Sequence, residues 1–307
     1  MIRYALLRLA TALPTLLLLV TLSFFLMRLA PGGPFDGERS LPPQIEASLR
    51  AEFHLDEPLP RQYLRYLGGL LRGDLGPSFQ YQGFRVRELI AAGLPVSLTL
   101  GMCAMALALL LGGAAGIAAS LRPGRALDQG LMSLAMLGIS VPSYVVGPLL
   151  VLLFAVLLRW LPAGGWEPGR WSDLLLPVVA LALPQIAAIA RLLRGSMLEV
   201  LRQPYIRTAR AKGLPESRVV LVHALKPALL PVISYLGPAT AGLITGSVVV
   251  EQVFDLPGIG RYFVQGALNR DYTLVLGVVL FYGATIVLFN FLVDLLYGLI
   301  NPRLRQS

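Results

Sequence analysis

Charged side chains are scarce in this sequence and are missing from long stretches of it. Only 14% of the 307 residues are charged, against about 25% in a typical soluble domain, and 56% are hydrophobic. A run of about 18 or more apolar residues is long enough to cross a bilayer as a helix. One such run could be a buried core helix, but several runs in one chain of this length exclude a soluble globular protein.

Cysteine and histidine are nearly absent as well. The single cysteine, Cys103, lies in an apolar run and has no partner for an intramolecular disulfide, so we interpret it as a small packing residue. His54 and His223 are far apart in the sequence and have no partner at a spacing typical of metal ligands. The sequence therefore predicts no metal site.

Lysine occurs only twice, at Lys212 and Lys226. A phosphate-binding loop needs the pattern Gly-x-x-x-x-Gly-Lys followed by Ser or Thr, and in Lys212–Gly213 the two residues stand in the opposite order. We therefore expect this chain not to hydrolyse ATP. If ATP drives its function, the ATPase is a separate polypeptide.

Six apolar runs are long enough, or nearly long enough, to be membrane spans. They lie at about residues 9–29, 94–120, 131–157, 174–190, 228–250 and 272–293. The fourth is the shortest and contains Pro177 and Pro184, which membrane helices tolerate when neighbours or water satisfy the freed backbone groups. The first is interpreted as a retained helix, because its apolar stretch is too long for a signal peptide. These runs predict an all-α membrane protein with one transmembrane domain over residues 1–307.

Basic residues are unevenly distributed among the segments that join the spans. With six spans both termini lie on one side, and a cytoplasmic N-terminus puts 14 basic residues and four acids inside, against 12 basic residues and 13 acids outside. Basic segments resist translocation, so we expect both termini to be cytoplasmic. The net charge of +9 is then a topology signal and an attraction to anionic membrane lipid. Nucleic-acid binding is a poor alternative, because membrane crossings separate the basic residues.

Two longer polar segments interrupt the spans. Residues 31–88 are expected to form an extracytoplasmic loop, with a helix near Pro43–Phe53, and residues 191–226 a strongly basic cytoplasmic loop. In the basic loop, a proline in the first turn and a glycine after the last predict a short helix at about Pro204–Lys212. The residues alone leave two interpretations open. The helix lies at the lipid headgroups, or it docks into a groove of a cytoplasmic partner.

The basic loop reads Tyr205-Ile-Arg-Thr-Ala-Arg-Ala-Lys-Gly213 and continues with His223-Ala-Leu-Lys-Pro-Ala-Leu-Leu-Pro231. It resembles the cytoplasmic loop of binding-protein-dependent ABC importer permeases, in particular the dipeptide, oligopeptide and nickel branch and the B-type oligopeptide subunits within it. The wider family begins this loop with Glu-Ala-Ala, where this sequence has Arg207, Thr208 and Ala209. Other motifs, including Gly73-Asp-Leu-Gly-Pro-Ser78 and Asn269-Arg-Asp-Tyr-Thr273, extend the resemblance over essentially the whole chain.

The resemblance implies a type I ABC importer permease fold and a channel-forming subunit that imports oligopeptides across the bacterial cytoplasmic membrane. It implies a transport subunit that is not an enzyme and has no catalytic residues and no cofactor on this chain. The implied partners are a second homologous permease subunit, two ATPase subunits that bind ATP and Mg, and an extracytoplasmic peptide-binding protein. The ATPases would be coupled through Pro204, Tyr205, Ile206, Arg207, Thr208, Ala209, Arg210, Ala211, Lys212 and Gly213. The alternatives are the same machine with dipeptide, nickel, glutathione or peptide-antibiotic cargo, and a stand-alone secondary transporter.

Three further groups of residues have candidate roles. Polar residues at membrane depth are candidates for the substrate pathway, although serine and threonine in membrane helices usually bond to backbone or to neighbouring helices. A motif in the outer loop is the candidate dock for the binding protein, with a solvated connector as the alternative. Gly112 and Gly116, like Gly242 and Gly246, have the spacing of close helix pairing. The pathway candidates are Ser234, Thr240, Thr245, Ser247 and Asn290, and the docking candidates are Gly73, Asp74, Leu75, Gly76, Pro77 and Ser78.

Overall fold

The structure is a computed structural model that describes residues 2–29, 33 and 43–300. All elements among these residues are helices, apart from an isolated bridge between Pro77 and Arg85. The helices form two compact units, which we describe separately. The first unit is built on residues 97–256 with the chain from residue 286 onward, and the second on residues 3–96 and 257–285.

Five helical segments among the described residues are long and apolar enough to cross a membrane. They are α1 (Ile2–Leu29), α4 (Val86–Leu121), α7 (Ser172–Leu201), α11 (Leu230–Gly246) continued by α12 (Val248–Val253), and α14 (Tyr272–Ile300). The spans predicted at about 9–29, 94–120, 174–190, 228–250 and 272–293 lie on these segments. Two short helices, α9 (Glu216–Arg218) and α10 (Leu225–Ala228), precede α11. The described fold is thus all-helical, as the sequence predicts.

The run at about 131–157, predicted as one span, is strongly bent. Helix α5 (Ala126–Ser140) and the helical stretch that follows it are bent by 100° relative to each other. That stretch consists of α6 (Ser143–Leu150) and a π-helical turn at Val151–Leu157. The bend falls at Val141, whose backbone is extended (φ −96°, ψ 117°), because the following Pro142 disfavours helical backbone in the residue before it. The pair is therefore either a broken span or a re-entrant loop.

In the first unit, α4 and α7 approach closely at two glycines. A Cβ atom added to Gly112 would lie 2.7 Å from the carbonyl oxygen of Ile186, and one added to Gly116 would lie 2.7 Å from that of Ala190. Real Cβ atoms do not come this close, so only glycine permits the contact. Close helix pairing at Gly112 and Gly116 is therefore confirmed, whereas Gly242 faces open space.

The second unit contains α2 (Pro43–Glu52), α3 (Leu59–Leu71) and α13 (Ile259–Leu268), together with most of α1 and the adjoining ends of α4 and α14. Its core is a cluster of buried aliphatic side chains from α4, α13 and α14: Val86, Leu89, Ile90, Ile259, Leu274 and Val278. Aromatic side chains join α1 to α3, because Phe24 contacts Tyr63 and Tyr66 at ring-centroid distances of 5.3 and 5.9 Å. The helix predicted near Pro43–Phe53 coincides with α2.

Candidate functional site

The short helix of the basic loop, α8 (Pro204–Ala211), starts and stops at identifiable residues. Gln203 before it is extended (φ −67°, ψ 148°), and Pro204 fills the first turn, where a backbone N–H would have no helical partner. After the helix, Gly213 has φ 74° and its N–H donates to the carbonyl of Arg210 at 2.9 Å. Gly213 therefore has left-handed backbone, which residues with a Cβ rarely adopt.

One face of α8 fixes the helix to the rest of the loop. Ile206 is fully buried and Ala209 nearly so, and the helix packs against a π-helical turn at Val219–Ala224. Val219 and Val220 in that turn are buried as well. A helix of eight residues is marginal on its own in water. The burial of this face is therefore what keeps α8 folded.

The two arginines of α8 have different surroundings. Arg210 pairs with Glu216, with its Nη2 2.6 Å from Oε1 and its Nε 3.1 Å from Oε2. This hydrogen-bonded pair raises the pKa of Arg210 and lowers the pKa of Glu216. Arg207 is exposed and forms no ion pair with a described residue, and the neighbouring Tyr205 is exposed as well. Arg207 is therefore an exposed cation of α8 without an ion pair to a described residue, and Tyr205 is exposed on a different side of the helix.

An ion pair between the buried Asp128 and the half-buried Arg194 joins α5 to α7, and the sequence analysis missed it. Arg194 falls within the predicted loop at 191–226, but α7 continues as a helix to Leu201, so the loop starts later than predicted. Arg194 donates to Asp128 through Nε at 2.5 Å and through Nη2 at 2.7 Å, and the backbone N–H of Gly124 donates to the same carboxylate at 2.8 Å. Bidentate pairing fixes the geometry of both side chains. A signal was present in the sequence, because Asp128 stands alone at the head of one apolar run and Arg194 near the end of another.

Two of the five polar residues proposed for the pathway donate to carbonyl oxygens of their own helices. Ser234 donates to the carbonyl of Leu230 at 3.2 Å, and Thr245 to that of Ala241 at 2.9 Å. The remaining three are buried or half-buried: Thr240, Ser247 and Asn290. This geometry is typical of the packing alternative, and the assignment of these five residues to a pathway stays a prediction.

Glu251 is a buried acid whose structural role the sequence analysis did not recognise. Its side chain is 0% exposed, and its Oε1 accepts hydrogen bonds from Ser97 at 2.6 Å and from Ser247. In the sequence, Glu251 directly follows the fifth apolar run. It lies in α12, which continues a membrane-spanning segment, so this carboxylate links α4 to the break between α11 and α12.

The outer motif Gly73–Ser78 is a turn held by its own acid. Asp74 accepts a hydrogen bond from the backbone N–H of Gly76 at 3.0 Å and pairs with Nη1 of Arg85 at 2.7 Å. The hydrogen bond from Gly76, followed by the one from Arg85, holds the pKa of Asp74 below its usual value. The motif is therefore preformed in the second unit.

A second outer motif, Asn269–Thr273, is tied to this turn through a buried carboxylate. Asp271 is 0% exposed. Its Oδ2 accepts from the hydroxyl of Ser78 and from the N–H of Gln80 at 3.1 Å. Its Oδ1 accepts from the hydroxyl of Thr273 and the N–H of Leu274, each at 3.0 Å. The two motifs, which the sequence analysis treated separately, are thus one structural element.

Two family models together cover nearly the whole chain. The model described as "Binding-protein-dependent transport system inner membrane component" matches residues 108–306, and the N-terminal model of the same kind of component matches residues 1–100. This chain belongs to that permease family. It is accordingly a multi-pass inner-membrane component of a transport system and not an enzyme. Among the described residues, no group of three or more His, Cys, Asp or Glu could hold a metal ion.

Individual relatives agree with the family. The permease is 54% identical over 305 residues to the oligopeptide transport system permease protein OppB of Escherichia coli (strain K12), covering 99% of this chain and 100% of that protein. It is 43% identical to the dipeptide transport system permease protein DppB of Bacillus subtilis (strain 168), covering 99% and 98% respectively. Its fold resembles a chain of the MetNI methionine ABC transporter, with a TM-score of 0.57, 19% identity, and coverage of 70% of this chain and 97% of that one.

Proposed function

We propose that this permease is the channel-forming subunit of an ATP-driven importer that moves oligopeptides across the bacterial cytoplasmic membrane. The observation that carries the proposal is the 54% identity, over nearly the full length of both chains, to a protein named as an oligopeptide permease. The proposed partners are a second permease subunit, two ATPase subunits that bind ATP and Mg, and an extracytoplasmic peptide-binding protein.

The proposed topology has six crossings with both termini in the cytoplasm. Counting the bent pair α5–α6 as one crossing gives six, and an even number puts both ends of the chain on one side. The charge distribution supports this orientation, because it places the basic loop with α8 inside. The outer turn at Gly73–Ser78 then faces the binding protein, and its hydrogen-bonded shape suits a rigid contact surface.

The proposed coupling element is α8 with its flanking residues, Pro204 to Gly213. Its buried face attaches it to the π-helical turn, and the exposed side chains of Tyr205 and Arg207, on different sides of the helix, are open to a partner. Tyr and Arg are, with Trp, enriched among the residues that contribute most of the binding free energy in protein interfaces. A force applied by the ATPases at these side chains would pass to the spans through the packed residue Ile206.

Dipeptides are the second candidate cargo. The observation that favours them is the 43% identity to a permease protein named for dipeptide transport. The same assembly of subunits would transport either cargo, so the two candidate functions differ only in the length of the peptide that the assembly accepts.

Reconstitution tests the proposal directly. The chain, co-expressed with its sister permease and ATPases, is placed in proteoliposomes with its binding protein, and uptake of a labelled tetrapeptide is measured with ATP, without ATP, and with an excess of unlabelled dipeptide. We expect uptake that requires ATP and resists dipeptide competition. ATP-dependent uptake that dipeptide abolishes would favour the dipeptide alternative. Uptake by this chain alone, without ATPases, would contradict the importer-subunit proposal.

A further inference from the structure

The second unit contains a cavity of about 470 Å³ between α1, α3 and α14. Its apolar walls are aromatic and aliphatic, with Phe24, Phe53, Phe79 and Leu276 among them. This volume lies in the range of about 300–1,000 Å³ in which small ligands bind to proteins. The outer motif borders the cavity through Asp74, Gly76 and Pro77.

Two hydrogen-bond donors on the wall of this cavity are buried and unused. Within the described part of the chain, Nη1 of Arg28 and the hydroxyl of Tyr66 have no hydrogen-bond partner. The Arg28 guanidinium lies over the ring of Phe24, 4.3 Å from its centroid. Burial raises the pKa of Tyr66, so its hydroxyl stays protonated and available as a donor. A buried donor without a partner is unfavourable and calls for an explanation such as a bound anion.

The charged side chains that line the cavity give it a net positive charge. Arg65 pairs with Glu57 at 2.5 Å, and Asp74 pairs with Arg85. Arg72 lines the cavity and forms no ion pair with a described residue. Glu52 and His54 complete the charged and titratable groups of the lining. An acceptor-only group that is negatively charged and flat, such as a carboxylate, matches a guanidinium fork beside a hydroxyl donor.

We propose that this cavity binds the terminal carboxylate of an apolar peptide, with Arg28 and Tyr66 donating to the carboxylate and the aromatic walls holding the last side chain. The proposal rests on the proposed function, because it places the cavity on the side where the binding protein releases cargo. A lipid phosphate would share the anion chemistry. The aromatic walls fit an apolar side chain better than a polar headgroup, and this favours the peptide.

Binding to the purified permease–ATPase assembly, without the binding protein, tests the site. Tri-leucine with a free carboxylate, tri-leucine amide and dihexanoyl phosphatidylglycerol are titrated into the assembly by calorimetry. We expect the free acid to bind at least about tenfold more tightly than the amide, since a hydrogen-bonded charge is lost in the amide. In Arg28→Gln the free acid should lose about the same factor, and in Tyr66→Phe only a few-fold. Arg61→Gln, an exposed change of equal charge on α3, should leave binding unchanged.

The outcomes separate the site from the function. Equal binding of acid and amide, or an Arg28→Gln variant that binds like the wild type, contradicts the carboxylate site. Binding of the phospholipid alone, lost in Arg28→Gln, also overturns it and assigns the cavity to lipid. The ATPase content of each sample is measured in parallel. If the ATPase content is normal and the peptide does not bind as expected, only the carboxylate site is contradicted. If the wild-type chain carries no ATPase, the importer proposal itself is contradicted.

Discussion

The helix α8 and the outer turn at Gly73–Ser78 are two short polar segments with opposite construction. In α8, the buried face is apolar and the exposed arginine at 207 makes no ion pair with a described residue. In the outer turn, both polar side chains have partners, because Asp74 pairs with Arg85 and Ser78 donates to the buried Asp271.

This difference shows two ways of presenting a surface. The turn is rigid by its own hydrogen bonds, so a partner meets a preformed shape. The helix is held by burial on one side only, and its Arg207 side chain stays available for a partner. A segment that transmits motion between proteins benefits from the second arrangement, since its contacts are satisfied by the partner and not within the chain.

The largest expected effect is at the buried carboxylate of the outer turn. Asp271→Ala removes an acceptor of four hydrogen bonds and leaves buried donors unpaired, so we expect a loss of about 3 kcal/mol in the free energy of unfolding. Thermal unfolding of the purified permease in detergent measures it. The exposed Asp56→Ala is the matched control, for which about 0.5 kcal/mol or less is expected. Equal stability of the two variants would contradict the idea of a rigid turn.

A smaller effect is expected at the end of α8. Gly213→Val forces a branched side chain into left-handed backbone and should destabilise the loop by about 1–2 kcal/mol. A Cβ at this position meets no atom within 4 Å, so the cost is conformational only, and Gly213→Asn should be tolerated far better. The rate at which a protease cleaves the loop in membranes is compared for the wild type, Gly213→Val and Gly213→Asn. A Val variant as resistant as the wild type would show that the left-handed turn is dispensable.

The smallest effect is expected at the exposed pair Arg210–Glu216. The folded pKa of Glu216 is lowered below its ordinary value of 4.5, so the pair stabilises the loop above that value and its contribution is lost as the pH falls through the folded pKa. An exposed pair contributes about 1 kcal/mol or less. Unfolding of wild type and Glu216→Gln between pH 7 and pH 3 measures the difference, which should shrink towards the acid end. A difference in stability that grows as the pH falls would contradict a lowered pKa of Glu216 in the folded protein.

Much of this architecture could be predicted from the sequence, because the thickness of the bilayer sets the length of the apolar helices that cross it. Apolar runs located the helices, and the prolines and glycine around 204–213 gave the bounds of α8 within one residue. The bend at Val141–Pro142 was missed although the proline was visible, because membrane helices often contain proline without breaking.

The buried polar contacts were beyond sequence reasoning. Ser78 and Asp271 are 193 positions apart, and Ser97 and Glu251 are 154 apart, so nothing local connects them. Similarly, periodicity placed Arg207 and Arg210 on one face of a helix. It could not show that Glu216 forms an ion pair with Arg210, whereas Arg207 forms none with a described residue.

The central claim, that α8 couples this permease to an ATPase through Arg207, is tested most directly by co-purification from native membranes. The ATPase recovered with the wild type is compared with that recovered with Arg207→Glu, Arg210→Glu and, as a control of equal charge change away from α8, Arg159→Glu. We predict that Arg207→Glu loses most of the ATPase, Arg210→Glu loses less, and Arg159→Glu loses none. Full recovery with Arg207→Glu, or no ATPase with the wild type, would contradict the account.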